Sequence, residues 1–121
     1  MDKYTREEMA EALDVVSSTI VKCEKFQLKF EEGTSQHSLL RNRIKALYIS
    51  KALITEENII DTYTKEELVE ALAPITSIIR KCEKPIQKFE EGTSNYTRFK
   101  KIIDAMNISK SLITKEISKR E

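Results

Sequence analysis

The chain has 121 residues, 34% of them charged, with 21 Lys and Arg against 20 Asp and Glu for a net charge of +1. A chain of this size buries about two thirds of its unfolded surface, enough for one modest core. The balanced charge argues against a nucleic-acid binder driven by phosphate neutralisation, and no apolar run approaches the roughly 18 residues that cross a bilayer.

The first element opens on a capping box, Thr5 with Glu8, in which the hydroxyl accepts from an orphan backbone N–H and the carboxylate reaches back. Tyr4 and Met9 have the spacing of a hydrophobic staple across that box. The Met1 to Thr5 start has no apolar stretch of the signal-peptide kind, so a cytoplasmic protein without a membrane partner is expected. An apolar seam follows at alternating steps of four and three: Met9, Leu13, Val16, Ile20, Cys23, Gln27 and Phe30. This is the period of left-handed helix packing, with Gln27 its one polar member. Gly33 is expected to end the helix in the left-handed conformation that only glycine adopts without steric cost. Thr34 and Ser35 come next as N-cap candidates for a second helix, and so short a connection makes the two helices antiparallel.

That second helix carries Leu40, Ile44, Ala46, Leu47, Ile49, Ser50, Leu53 and Ile54, which cover more than half of its circumference. One partner helix cannot cover so wide a stripe; neighbours from elsewhere in the chain, or from a second chain, are required. Ala46 and Ser50 are small enough for close helix approach. Neither Gly nor Pro occurs between Glu56 and Thr62, so the helix is expected to run on to about Ile60.

From Asp61 the chain repeats itself at an offset of 59. Asp2-Lys3-Tyr4-Thr5 returns as Asp61-Thr62-Tyr63-Thr64, Lys22-Cys23-Glu24-Lys25 as Lys81-Cys82-Glu83-Lys84, and Phe30-Glu31-Glu32-Gly33-Thr34-Ser35 as Phe89-Glu90-Glu91-Gly92-Thr93-Ser94. A third helix therefore starts at the Thr64–Glu67 box and carries the seam Leu68, Leu72, Ile75, Ile79, Cys82, Ile86 and Phe89. Pro74 and Pro85 fall inside it, where each removes a donor and crowds a carbonyl, so a kink is expected, while the seam on both sides of the prolines says that the helix continues. A fourth helix follows Gly92, with Ala105 and Ser109 as its small residues. The expected architecture is all-α: two antiparallel helical hairpins, residues 1–60 and 61–121, packed as a single four-helix bundle.

Candidate chemistry is sparse. Cys23 and Cys82 sit on the seams without the clustered Cys and His of a metal site, and read as buried reduced thiols. His37, replaced by Tyr96 in the second copy, has no nucleophile pattern around it; it packs on the surface or stacks on a ligand. The Gly-Thr-Ser turns carry the sharper alternatives. A helix N-terminus offers free N–H groups and a positive dipole end to an anion. Thr34, Ser35, Thr93 and Ser94 add hydroxyls, and Arg41, Arg43, Arg98, Lys100 and Lys101 lie one to two turns in, with Arg43 inside the apolar arc. The same hydroxyls are what a plain helix cap requires, and Glu31, Glu32, Glu90 and Glu91 beside the turns would repel an anion.

The string Glu32-Gly33-Thr34-Ser35-Gln36-His37-Ser38-Leu39-Leu40-Arg41-Asn42-Arg43-Ile44-Lys45-Ala46-Leu47 resembles a family of short uncharacterised proteins of Firmicutes and their phages, which look like a single copy of this hairpin. That resemblance covers most of both repeats; it implies a phage connection and no particular activity. The polar turn, the small residues of the next helix and its Ala52-Leu53-Ile54 end also resemble the hairpin domain of phage proteins that sequester cyclic-nucleotide signals. No binding residue of those proteins transfers to a position here.

The sequence thus leads to a non-enzymatic, cofactor-free binding protein that sequesters a small phosphate-bearing, nucleotide-like ligand at its helix N-termini. Its expected contacts are Thr34, Ser35, His37, Arg41, Arg43, Thr93, Ser94, Tyr96, Arg98 and Lys100. The alternative is a helical protein–protein interaction module, or an inhibitor of a host or defence protein, warranted by the wide apolar stripe. Homo-oligomerisation is open, and nucleic acid is not expected.

Overall fold

The computed structural model describes residues 4–121, so the Asp2 and Lys3 of the repeat, and Met1, lie outside the described residues. Four helices follow one another, α1 (Arg6–Gln27), α2 (Ser35–Ile54), α3 (Lys65–Ile86) and α4 (Ser94–Lys119), and the described residues contain no strand. The chain reverses at each connection. Both hairpin turns therefore lie at one end of the bundle, and α2 and α4 run parallel.

Both capping boxes form as the sequence dictates. Thr5 N–H donates to Glu8 Oε1 at 2.8 Å and Glu8 N–H to Thr5 Oγ1 at 3.0 Å. In the second copy the corresponding distances at Thr64 and Glu67 are 2.9 and 3.1 Å. Tyr4 and Met9 pack partly buried on the core, as does Tyr63, and Leu68 is wholly buried.

Packing is not square. α1 touches α2 and α4, α3 touches α4 and α2, and α2 and α4 also touch each other. Among the described residues no such packing joins α1 to α3. The second helix of each repeat therefore has three neighbours and the first has two, which is why the stripes on α2 and α4 are so wide. The other repeat covers them, and no second chain is needed. Ala46, Ser50, Ala105 and Ser109 are 0–2% exposed, and each serine hydroxyl donates to the alanine carbonyl one turn back at 2.9 Å. Those bonds remove the cost of burying the hydroxyls. Around this pair Leu47, Ile49, Leu68, Ile75, Met106 and Ile113 are fully enclosed, each burial stabilising the fold by about 1.5–3 kcal/mol.

Three expectations about boundaries and packing need correction. Gly33 and Gly92 do not end the first helices, which stop earlier at Gln27 and Ile86. Lys29 N–H and Phe30 N–H turn to the carbonyls three residues back, Phe26 and Gln27, and this tighter ladder closes the helix. The glycines sit in the following turn at φ +90° with open space where a side chain would begin, so it is the backbone angle alone that calls for glycine. α2 does not run on to Ile60 either. Glu57 N–H bonds Ala52 O at 2.9 Å and Glu56 N–H bonds Leu53 O at 3.2 Å, a Schellman closure with Glu56 at φ 61° in the place glycine usually takes. The chain then drops Ile59 into the core at 4% exposure. Lastly, the seam is shifted: Ala12 lies deeper than Leu13, and Ala71 and Ile78 join the buried face of α3. As the seam on both sides of the prolines predicts, that helix continues through Pro74 and Pro85.

Candidate functional site

The Gly-Thr-Ser turns begin with a hydrogen-bond lock. Thr34 Oγ1 donates to Glu31 O at 2.8 Å and accepts from His37 N–H at 3.2 Å, and Thr93 repeats this with Glu90 and Tyr96 at the same two distances. Both threonine hydroxyls are therefore engaged as caps. Ser35 and Ser94 follow as exposed first-turn residues, and Ser35 Oγ meets Gln36 Oε1 at 3.3 Å. The two helix starts share one end of the bundle, so their dipoles present the same positive sign to the same side.

The basic residues separate into different roles. Arg41 is exposed. Arg98 lies over the Phe99 ring, 5.1 Å from its centroid, and Lys100 pairs with Asp104 at 2.8 Å. This pairing raises the Lys100 ammonium above its ordinary pKa. Tyr96 is half-buried and its backbone N–H closes the cap.

Arg43 is unlike the others. At 100° per residue it falls between Ser50 and Leu47 on the buried arc of α2. Its Nε and Nη2 are shielded from solvent, and no described residue accepts a hydrogen bond from either. Position 43 corresponds to Ile102 in the second copy, an apolar residue packed against the core. Arg43 stands close enough to Cys23 to oppose the effect of burial, which nonetheless keeps that thiol above its ordinary pKa. Burial likewise raises the Cys82 thiol, with Arg98 opposing. Both cysteines are free, buried and protonated, the core role expected of them.

His37 is half-buried beside the same helix start. Its Nδ1 is also enclosed without a partner, while its carbonyl accepts from Gln27 Nε2 at 3.3 Å. Gln27, the polar break in the seam, thus ties the end of α1 to the start of α2.

Two grooves flank the bundle at positions related by the repeat. One, of about 510 Å³, runs between α2 and α3 over Leu39, Ala46, Ile49, Ala71 and Pro74. Its counterpart between α1 and α4, about 350 Å³, is lined by Glu8, Glu11, Ala12, Lys100, Lys101 and Asp104. Neither reaches the Gly-Thr-Ser turns or Arg43, and Lys100 alone of the expected contacts lines one. At the opposite end Arg120, invisible to motif reading, donates to the carbonyls of Tyr63 and Ile59, the latter at 3.0 Å, and pairs with Glu116 at 3.3 Å. It clamps the crossover between repeats. Among the described residues no three His, Cys, Asp or Glu side chains gather as a metal site requires, and no helix is long and apolar enough to cross a membrane.

The chain matches no family model, no curated protein and no solved structure.

Proposed function

We propose that this protein is a non-enzymatic binder that sequesters a small phosphate-bearing, nucleotide-like ligand at the end of the bundle where α2 and α4 begin. The observation that supports this is Arg43. A guanidinium with two enclosed nitrogens and no acceptor is costly, because a buried donor or charge without a partner keeps its full desolvation penalty. An anion that accepts from Nε and Nη2 would relieve it, and a phosphate matches the planar fork of Arg better than a point acceptor does. His37 carries a second enclosed, unpartnered nitrogen on the same helix, and supports the reading as a further polar group that lacks a partner. Thr34 and Thr93 hold the helix starts in shape, and Ser35, Ser94 and Arg41 stay exposed near them.

The test is thermal unfolding in a chloride buffer with inorganic phosphate, mononucleotides and cyclic dinucleotides added in turn. Ligand held by the folded state raises the unfolding temperature by mass action. The proposal expects at least one of these anions to do so in the wild type and none in Arg43→Met; no shift from any of them would end it.

A second reading, a helical module that docks on another protein, loses the warrant it began with, since the other repeat covers the wide stripes of α2 and α4. What favours it instead is Leu28, 87% exposed, beside Phe26 at 48%.

A further inference from the structure

The two hairpins are joined covalently only through residues 55–64, and they share one core. Helix α2 of the first hairpin packs on both α3 and α4 of the second, and α1 packs on α4. At the edge of this surface Lys45 of α2 pairs with Glu67 of α3. All these contacts join one hairpin to the other. Their chemistry is the same whether the two hairpins belong to one chain or to two, so a second copy offers each hairpin a surface that it already fits.

The crossover decides which hairpin is taken. It turns at Glu56, a non-glycine residue at φ 61°, in the left-handed region where an L side chain crowds its own backbone. Beyond the turn Ile59 is sunk in the core, and Arg120 holds the Ile59 and Tyr63 carbonyls. Strain at Glu56 thus favours opening the turn, while Ile59 and Arg120 oppose it. Neither Gly nor Pro lies between Glu56 and Thr62, so no helix breaker stops α2 from running on once Glu56 leaves that angle. A straightened crossover carries the second hairpin away from the first and leaves both faces open to another copy.

We propose that two copies exchange hairpins: with the crossover straightened, the first hairpin of each molecule takes the second hairpin of the other. The product is a symmetric dimer of two complete bundles, and it closes on itself, so assembly ends at two chains. The dimer keeps the contacts between hairpins and relieves Glu56, and it gives up the anchoring of the crossover by Ile59 and Arg120. High concentration and passage through the unfolded state favour it over the monomer.

The full-length chain, half of it carrying heavy nitrogen, is unfolded in urea and refolded by dilution at high protein concentration. Size-exclusion chromatography with light scattering then separates monomer from dimer. A carbodiimide couples Lys45 to Glu67 at zero length, and mass spectrometry of the digest reads the label on each half of that pair. In the dimer about half of the coupled pairs should join a heavy to a light chain, as random exchange of hairpins requires, and in the monomer none. Ile59→Ala should raise the dimerisation constant about tenfold or more, because the cavity it leaves weakens only the closed form. Arg120→Ala loosens the same segment from outside the core and should act in the same direction if Ile59→Ala does not fold. Glu56→Gly should lower the dimer yield severalfold, since glycine holds the turn without strain. A dimer whose Lys45–Glu67 pairs are never mixed would overturn the proposal. So would a failure of wild type and both loosened variants to dimerise, or a Glu56→Gly chain that dimerises as readily as the wild type. Arg43 stays within the first hairpin in either form, so anion binding is read separately.

Discussion

Replacing Arg43 with Met should make the free protein more stable. Met keeps most of the stem's volume and packing and removes the charge together with two enclosed donors that find no acceptor. Each unsatisfied buried donor costs about 1–3 kcal/mol. Arg43 is only partly buried, which places the effect near the lower end, and some lost stem contact subtracts from it. The net expectation is a gain of about 2 kcal/mol, or roughly 8 °C in unfolding temperature for a domain of this size. Urea unfolding in a chloride buffer should move to a higher midpoint with its slope unchanged, since the surface exposed on unfolding is the same. Adding the anion that stabilises the wild type should then close the gap from the other side, because a ligand at a thousand times its dissociation constant contributes about 4 kcal/mol to the wild type alone. A variant less stable than the wild type by 1 kcal/mol or more, in the absence of any anion, would refute the reasoning. It would mean that Arg43 has an internal partner and serves the fold.

Glu56→Gly should stabilise the protein by about 1 kcal/mol in chemical denaturation, because a non-glycine residue in the left-handed region carries a strain of that order, partly offset by glycine's greater freedom when unfolded. Arg120→Ala should cost about 2 kcal/mol by releasing charge-assisted bonds to the Tyr63 and Ile59 carbonyls, and hydrogen exchange should quicken in the crossover between α2 and α3 before it does elsewhere. The thiols predict an alkaline limit. Burial holds both Cys23 and Cys82 above their unfolded pKa, so the stability they contribute is complete below the ordinary thiol value of about 8.5 and is lost as pH rises through the folded value. The loss above that pH should shrink in the Cys23→Ala, Cys82→Ala double variant; identical pH profiles would contradict it.

The helices and their pairing were legible because they rest on short-range rules. Thr5 and Thr64 each have a Glu three residues on, and the four-three seam sets which face is buried. The wide stripe on Leu40 to Ile54 correctly required more than one neighbour, although periodicity alone could not say whether these came from the same chain. Boundaries are less legible, because Gly and Pro are not the only residues at which a helix stops. Glu56 stops α2 through two backbone bonds and a Thr55 hydroxyl bonded to Lys51 O, none of which leaves a compositional mark. Ile59 and Arg120 leave no mark in the sequence either, since their partners lie across the fold and not at a helical interval. Within the candidate site the threonines were legible as caps and Arg43 as an anomaly on an apolar arc. That Lys100 is held by Asp104, and Arg98 by a ring, is a matter of rotamers that no spacing rule conveys.

Duplication supplies a comparison inside one molecule. Where the copies agree, as at Thr34 and Thr93 or Cys23 and Cys82, the shared residue has the same structural task twice. Where they differ at the surface, as Leu28 differs from Gln87, the fold is indifferent and either residue can persist. Arg43 against Ile102 is a difference of another kind, for it falls on a buried face. There the second copy demonstrates that an apolar side chain packs well, and the first keeps a cation whose enclosed nitrogens find no acceptor. Drift among stable alternatives tends to remove such a residue, because nearly every apolar replacement of similar size would leave the bundle more stable. Its presence in one copy and not the other is the asymmetry that the Arg43→Met comparison tests.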